Sequence, residues 1–302
     1  MVDLPNGVEI QKLINNLRIL SWEVSDILLY YSNRINNSKC NEKLINYKNQ
    51  HEPVTIADLK VNELITKSIS ESYSEIGWGF LSEESDELFF LNDKSHNDWI
   101  WVLDPLDGTK DFIQGTGNFA MHLALNYKNS PIIGVVLIPN RDELWISNGD
   151  DTWCENRKGT KMKPNLSDFT NVSEMRIVMS QNHQNINLLT LIEKLNFKDS
   201  ICMGSIGCKI ASILRGESDI YISFNLPGKS SPKDWDLAAP EAILKKAGGS
   251  ITNLENEELV YNKINCNQGG VIIASNNLEN HQNTCKMIKK VILKYNLYSE
   301  IS

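Results

Sequence analysis

The chain has 302 residues, 41% of them hydrophobic, which is enough to bury a sizeable core in one large or two smaller units. A net charge of −8 without any dense Lys/Arg tract disfavours nucleic acid polymers and anionic membranes as partners, while a small anionic substrate is allowed where cations neutralise it. Met1-Val2-Asp3-Leu4-Pro5 lacks the basic and apolar regions of a signal peptide, and no run approaches ~18 apolar residues, so a cytoplasmic protein without integral membrane association is expected.

Ile10, Leu13, Ile14, Leu17, Leu20, Val24, Ile27 and Leu28 recur at helical spacing and predict a long amphipathic helix at the start of the fold. Residues 34 to 52 are rich in Asn, Lys and other polar types and read as a mobile loop. Asp58 follows in Pro53-Val54-Thr55-Ile56-Ala57, just before Val61, Leu64, Ile65 and Ile69 on one helical face. Gly79-Phe80-Leu81-Ser82 is a short apolar segment that ends in Glu83 and Glu84.

Next comes Trp99-Ile100-Trp101-Val102-Leu103, an apolar strand that delivers Asp104-Pro105-Leu106-Asp107-Gly108-Thr109-Lys110-Asp111-Phe112-Ile113. Acids are usually exposed, so two of them at the end of an apolar strand, with Pro and Gly beside them, suggest oxygen ligands for a hard cation such as Mg²⁺. A surface Asp-Pro/Asp-Gly turn is the alternative. Gly108 would let backbone N–H groups approach a phosphate closely. Mg²⁺ takes only one or two carboxylates from any one segment, so a two-metal phosphoryl site needs acids from elsewhere. Asp58, Glu83, Glu84 and Asp236 are the candidates, although each alone also reads as a helix cap or a solvated acid.

Asn118 to Leu125, Ile132 to Ile138 and Glu143 to Ile146 read as a meander of strands. His122, alone in an apolar stretch, reads as a packed histidine, since nothing nearby in the sequence forms a relay. The composition shifts near residues 147 to 172, dividing an N-terminal α+β subdomain, 1–155, from a C-terminal α/β subdomain, 156–302. In the latter, 176–180 reads as a strand, 188–195 and 205–214 as helices, and 219–222 as a strand, which is α/β character. Ser205 and Lys209, four apart, suit a second phosphate at a helix N-terminus or else a capped surface helix with a solvated lysine. Asn225 to Lys233 reads as a loop ahead of Asp234-Trp235-Asp236-Leu237-Ala238-Ala239, which opens a helix ending at Gly248-Gly249; Trp235 reads as a core residue bracing the acids. Six cysteines without a CxxC or a zinc spacing read as reduced structural thiols, with Cys202 and Cys208 the one pair close enough in sequence for a redox switch.

Ala57-Asp58, Ser82-Glu83-Glu84-Ser85, Asp104-Pro105-Leu106-Asp107-Gly108-Thr109 and Trp235-Asp236-Leu237-Ala238-Ala239, in that order, resemble the inositol monophosphatase superfamily of Mg²⁺-dependent phosphatases. The resemblance runs from the first helix to Gly269-Gly270-Val271-Ile272-Ile273-Ala274. Lys110-Asp111-Phe112, and Gly204-Ser205 followed by Lys209, look more like its CysQ-type 3′(2′),5′-bisphosphate nucleotidase branch. The resemblance implies a layered sandwich of alternating helices and sheets, α+β and α/β in character, and two or three Mg²⁺ per site. Carried over by position, Glu83, Asp104 and the Leu106 carbonyl hold one ion, Asp104, Asp107 and Asp236 a second, while Glu84 and Asp58 lie near a third. In the family a metal-activated water attacks phosphorus in line, oriented and deprotonated with the help of Thr109 and Asp58.

The implied function is a phosphomonoesterase converting adenosine 3′,5′-bisphosphate to AMP and phosphate within sulfur metabolism, working as a monomer or homodimer. Substrate contacts would come from Glu83, Leu106, Asp107, Gly108, Thr109, Lys110, Ser205, Lys209 and Asp236. Where the nucleotidases commonly carry an Arg and aromatic pattern before Trp-Asp, this chain has Ser230-Ser231-Pro232-Lys233-Asp234, so the base-recognition contacts are not carried over. An inositol monophosphatase or sugar bisphosphatase is the alternative within the superfamily, and a non-catalytic nucleotide-binding protein on the same fold is a third reading. A haloacid-dehalogenase-type phosphatase attacks with an Asp and needs acids two apart, whereas Asp104 and Asp107 are three apart.

Overall fold

The computed structural model describes residues 4–5, 7–37, 45–49, 52–85, 89–90, 98–182, 185–263 and 265–298. Helix α1 (Ile10–Asn37) buries Leu13, Ile14, Leu17, Leu20, Val24 and Leu28 of the stripe that its periodicity predicts, and Ile35 beyond it. Strands β1 (Ile45–Asn49) and β2 (Glu52–Thr55) then pair antiparallel. This corrects the expected loop over 34–52: the helix continues to Asn37, and a ladder made by backbone groups needs no apolar side chains to signal it. Residues 38–44 and 50–51 of that expectation lie outside the described residues.

Helix α2 (Ile56–Tyr73) leads to β3 (Gly79–Ser82), β4 (Phe89–Phe90), β5 (Trp99–Asp107), α3 (Thr109–Gln114), β6 (Ala120–Tyr127), β7 (Ser130–Ile138), β8 (Glu143–Ser147), β9 (Thr152–Glu155) and β10 (Lys161–Met162). The meander expected from the sequence is β6 to β8. Eight strands form one sheet in the order β10-β9-β8-β7-β6-β5-β3-β4, antiparallel throughout except where β3 runs parallel to β5.

The second half contains β11 (Arg176–Ser180), α4 (Ile186–Leu195), β12 (Asp199–Met203), α5 (Ile206–Leu214), β13 (Ile220–Asn225), α6 (Asp234–Ala247), β14 (Ser250–Asn253), β15 (Gly270–Ser275) and α7 (Leu278–Lys294). Its five-stranded sheet is mixed, in the order β12-β11-β13-β15-β14. Helix α6 stops at Gly248, whose positive φ of 101° lets its N–H cap the Leu244 and Lys245 carbonyls.

Three cores stack these elements into five layers. Helices α1 and α2 cover one face of the first sheet with Val24, Leu28, Val61 and Ile65 against Trp101, Leu103 and Leu123. Helices α5 and α6 fill the space between the two sheets, packing Ile210, Leu237 and Ile243 against Val102 and Ala124 on one side and Val178 and Ile272 on the other. Helices α4 and α7 cover the outer face of the second sheet through Leu191, Ile288, Ile222 and Ile273. Strand alternation explains the sorting along β5: Trp99, Trp101 and Leu103 face α1 and α2, while Ile100 and Val102 face α5 and α6. Trp101 stands edge-on to Trp78 with centroids 5.4 Å apart, both fully buried, so truncating either would cost roughly 3–5 kcal/mol.

Candidate metal centre

Asp104 belongs to the face of β5 that looks toward α5 and α6, and a regular strand would turn Asp107, three residues on, to the opposite face. The ladder instead pairs Asp104 with His122 and Asp107 with Ala120, so three steps on β5 answer two on β6. This bulge, at the proline that has no N–H to donate, reverses the alternation. Leu106 falls into the α1/α2 core, and Asp107 returns to the side of Asp104. The Leu106 N–H donates to Asp104 Oδ1 at 3.0 Å, while its carbonyl accepts the Thr109 hydroxyl at 3.1 Å.

Three more segments arrive at this point. Because β3 runs parallel to β5, both strands end on the same edge, and the Glu83 N–H donates to the Leu103 carbonyl at 3.1 Å. The Glu83 carboxyl is thereby placed to hydrogen-bond Asp104. Asp236 sits in the first turn of α6, where its Oδ2 accepts the Lys233 N–H at 2.6 Å. Oxygens of Asp104, Asp107 and Asp236 all lie within 4.8 Å of one another. The N-terminus of α5 meets the cluster as well: the Ser205 hydroxyl and the Gly207 N–H donate to Asp107 Oδ2 at 2.6 and 3.1 Å. Gly108, at φ +89°, is required by the fit of these parts, since a Cβ there would lie 2.8 Å from the Asn118 carbonyl and 3.3 Å from the Ser205 Cβ.

The electrostatics follow from this crowding. Burial, then the charges of Glu83, Asp107 and Asp236, hold the Asp104 carboxyl well above the ordinary range. Burial and the neighbouring Asp107 push Asp236 up to about 8. Carboxylates this close must be neutralised by protons or by cations, and a set made of oxygens fits a hard divalent ion. Asp58 stands at the margin. Burial pushes it up to about 7, with a contribution from the charges of Glu83 and Glu84. Its Oδ2 accepts the N–H of Thr55 at 2.8 Å and the Thr55 hydroxyl at 2.5 Å, completing a capping box at the start of α2.

Thr109 and Asp58, which the family resemblance pairs around one water, are each held locally, Thr109 by the Leu106 carbonyl and Asp58 by Thr55. Ser205 caps α5, and Lys209 lies one turn further along it. Helix α5 is buried along its whole length, so the solvated-lysine alternative does not hold. Lys209 Nζ donates to the Ser205 carbonyl at 3.0 Å and lies over the Tyr221 ring, while burial holds its pKa down against the opposing pull of Asp107, Asp111 and Asp236. Lys110 is half-buried in the first turn of α3. Trp235 is buried in the central core beside the acids, as its position in sequence suggested. Cys202 is exposed and Cys208 buried, and no disulfide joins them; burial pushes the Cys208 thiol up to about 12, the opposite of a reactive thiolate. Among the described residues no helix is long and apolar enough to cross a membrane.

Two residues escaped the sequence reading. His122, buried as expected, packs against the cluster, with Nε2 3.2 Å from Asp107 Oδ2. Gly207 leaves room for that ring. A glycine in the first turn of an apolar helix is the one signal that marked the close approach.

A sequence model of the inositol monophosphatase family matches residues 10–293. A 3′(2′),5′-bisphosphate nucleotidase CysQ from Buchnera aphidicola is 32% identical over 222 residues, covering 73% of this chain and 79% of that protein. Among solved structures, the extragenic suppressor protein suhB from Bartonella henselae matches with a TM-score of 0.70 at 22% identity, over 92% of this chain and 98% of its own. The inositol monophosphatase from Anabaena (Nostoc) sp. PCC 7120 matches with a TM-score of 0.69 at 22% identity, over 94% and 97%. Both structures share the layered sandwich described above.

Proposed function

Because the chain belongs to the inositol monophosphatase family and is a phosphoric monoester hydrolase, we propose that it is a Mg²⁺-dependent 3′(2′),5′-bisphosphate nucleotidase acting on adenosine 3′,5′-bisphosphate. The observation that carries the chemistry is the convergence of Asp104, Asp107 and Asp236 within 4.8 Å, with Glu83 hydrogen-bonded to Asp104. Likeness to CysQ nucleotidases supports the choice of substrate.

Asp104, Asp107, Asp236, Glu83 and the Leu106 carbonyl would hold the cations, and Glu84 would lie close by. When bound, Mg²⁺ supplies Lewis acidity to the phosphoryl oxygens and lowers the pKa of water beside them. The chain's own groups do the positioning. Ser205 and Gly207 fix one oxygen of Asp107 and leave the other for a cation. Thr109 holds the Leu106 carbonyl, which the bulge has removed from the regular ladder. Asp58, pushed up to about 7, is a carboxyl able to take and release a proton near neutral pH. Lys110 offers positive charge for the second phosphate, and buried Lys209 balances the acids behind it rather than meeting solvent.

The test is phosphate release by the purified protein with Mg²⁺, comparing adenosine 3′,5′-bisphosphate, inositol 1-phosphate and fructose 1,6-bisphosphate. A strong preference for the nucleotide is expected. Preference for the inositol or sugar phosphate would keep the metal chemistry and overturn the substrate; the segment Ser230-Ser231-Pro232-Lys233, which lacks an arginine, is the feature that favours this second reading.

A further inference from the structure

His122 reaches the metal site from the side that the solvent does not see. It is fully buried on β6, directly across the ladder from Asp104. Its Nε2 lies 3.2 Å from Oδ2 of Asp107, close enough for a hydrogen bond to form with a small turn of either group. Leaving a nitrogen of a buried imidazole without a partner is costly, so the near contact with Asp107 demands a role.

We infer that His122 is a positioning residue for the cation site: in its Nε2–H form it donates to Asp107 Oδ2 and orients that carboxylate so that Oδ1 faces the metal. The inference rests on the metal reading above and deepens it.

Geometry supports the assignment from three directions. Oδ2 already accepts from the Ser205 hydroxyl and the Gly207 N–H, so it is the oxygen turned into the protein, and a third donor on it leaves Oδ1 as the outward one. Gly207 is the residue that makes space for the ring: a Cβ there would lie 2.2 Å from His122 Nε2 and 2.8 Å from Val136 Cγ1. The backbone of Trp235, the residue before Asp236, is the ring's other polar neighbour, so one imidazole stands between the segments that deliver two of the acids. A ring nitrogen that faces an acceptor needs the proton on it. An acceptor at 3.2 Å selects Nε2, since a bare Nε2 would set its lone pair against a carboxylate oxygen.

The experiment titrates Mg²⁺ by calorimetry into chelator-stripped wild type, His122→Leu and His122→Gln, with thermal melts in chelator to verify folding. The leucine variant is expected to bind Mg²⁺ roughly 10- to 100-fold more weakly, the usual cost of losing a partner that orients a metal ligand. The glutamine variant, whose amide nitrogen falls near the place of Nε2, should recover most of the affinity. A folded leucine variant that binds like wild type overturns the proposal. Should that variant not fold, nitrogen NMR of ¹⁵N-histidine in the wild type decides: a protonated Nε2 that shifts on Mg²⁺ addition is expected, and a bare Nε2 overturns it. Wild type that takes up no Mg²⁺ would instead remove the metal reading on which this one stands.

Discussion

Asp104 and Asp107 present their carboxylates to the same side of β5 although their positions are three apart, because the bulge between them consumes one step of the alternation. A spacing of two in a regular strand would bring the acids equally close but would leave the Leu106 carbonyl in the ladder. The bulge supplies both at once: two carboxylates on one face and a backbone oxygen released from pairing, steadied by Thr109.

Replacing Asp107 with Asn keeps the shape and removes the charge. Loss of one acid ligand is expected to raise the barrier by several kcal/mol, which lowers turnover by roughly a thousandfold or more. Phosphate release measured beside an unchanged melting curve checks it, and near wild-type hydrolysis by the folded variant would contradict the ligand assignment.

Mg²⁺ should stabilise the protein more as pH rises. Asp236 is pushed up to about 8 and Asp104 also stands well above its ordinary value, so in chelator their contribution to stability is intact at low pH and is lost as pH rises through the folded-state values. A cation replaces those protons, and it competes with them poorly in acid. The gap between melting temperatures with Mg²⁺ and with chelator should therefore widen from about pH 5 to about pH 8. A gap that narrows over this range would refute the account.

Gly207→Ala tests the packing behind the site. The added Cβ has His122 Nε2 and Val136 Cγ1 in its way, so α5 or the ring must move. Destabilisation of about 1–3 kcal/mol is expected by urea unfolding, together with weaker Mg²⁺ binding. Wild-type values for both would show that the close approach relaxes without consequence.

His281 sets an acid limit far from the acids. Its ring is buried between the hydroxyls of Ser275 at 2.6 Å and Thr252 at 2.8 Å, and burial pushes its pKa down to about 4. The unfolded chain then binds the extra proton first as pH falls below the usual histidine value, so stability is lost on acidification. Between pH 7 and pH 5 the loss from this group is about 2 kcal/mol. His281→Gln should show a pH dependence of unfolding shallower by that amount, and an unchanged slope would exclude the buried neutral ring as its source.

Local chemistry made some of this legible in the sequence and hid the rest. The run Trp99–Leu103 ending in acids, the helix opening at Asp234 and its stop at Gly248 are written in neighbouring residues, and the structure has them where the pattern puts them. The pairing of β1 with β2 was hidden because Asn46, Lys48 and Asn49 make up most of β1 and the ladder is made by backbone groups. His122 and Gly207 meet only after β6 and α5 pack face to face, a relation that no spacing along the chain encodes. The solvated-lysine alternative for Lys209 fails for a related reason: spacing along the chain does not tell what covers a helix, and here both faces of α5 are covered by sheets.

The five-layer stack gives each half of the chain only part of the acid cluster. Glu83, Asp104 and Asp107 come from the first sheet, and Asp236 with the α5 donors from the helices behind it, on either side of the largely exposed residues 163–171. A cut in that stretch would yield two fragments, neither able to assemble the acid cluster alone. Hydrolysis regained on mixing them would then report docking of the halves, so the enzyme carries the elements of a split reporter in its own architecture.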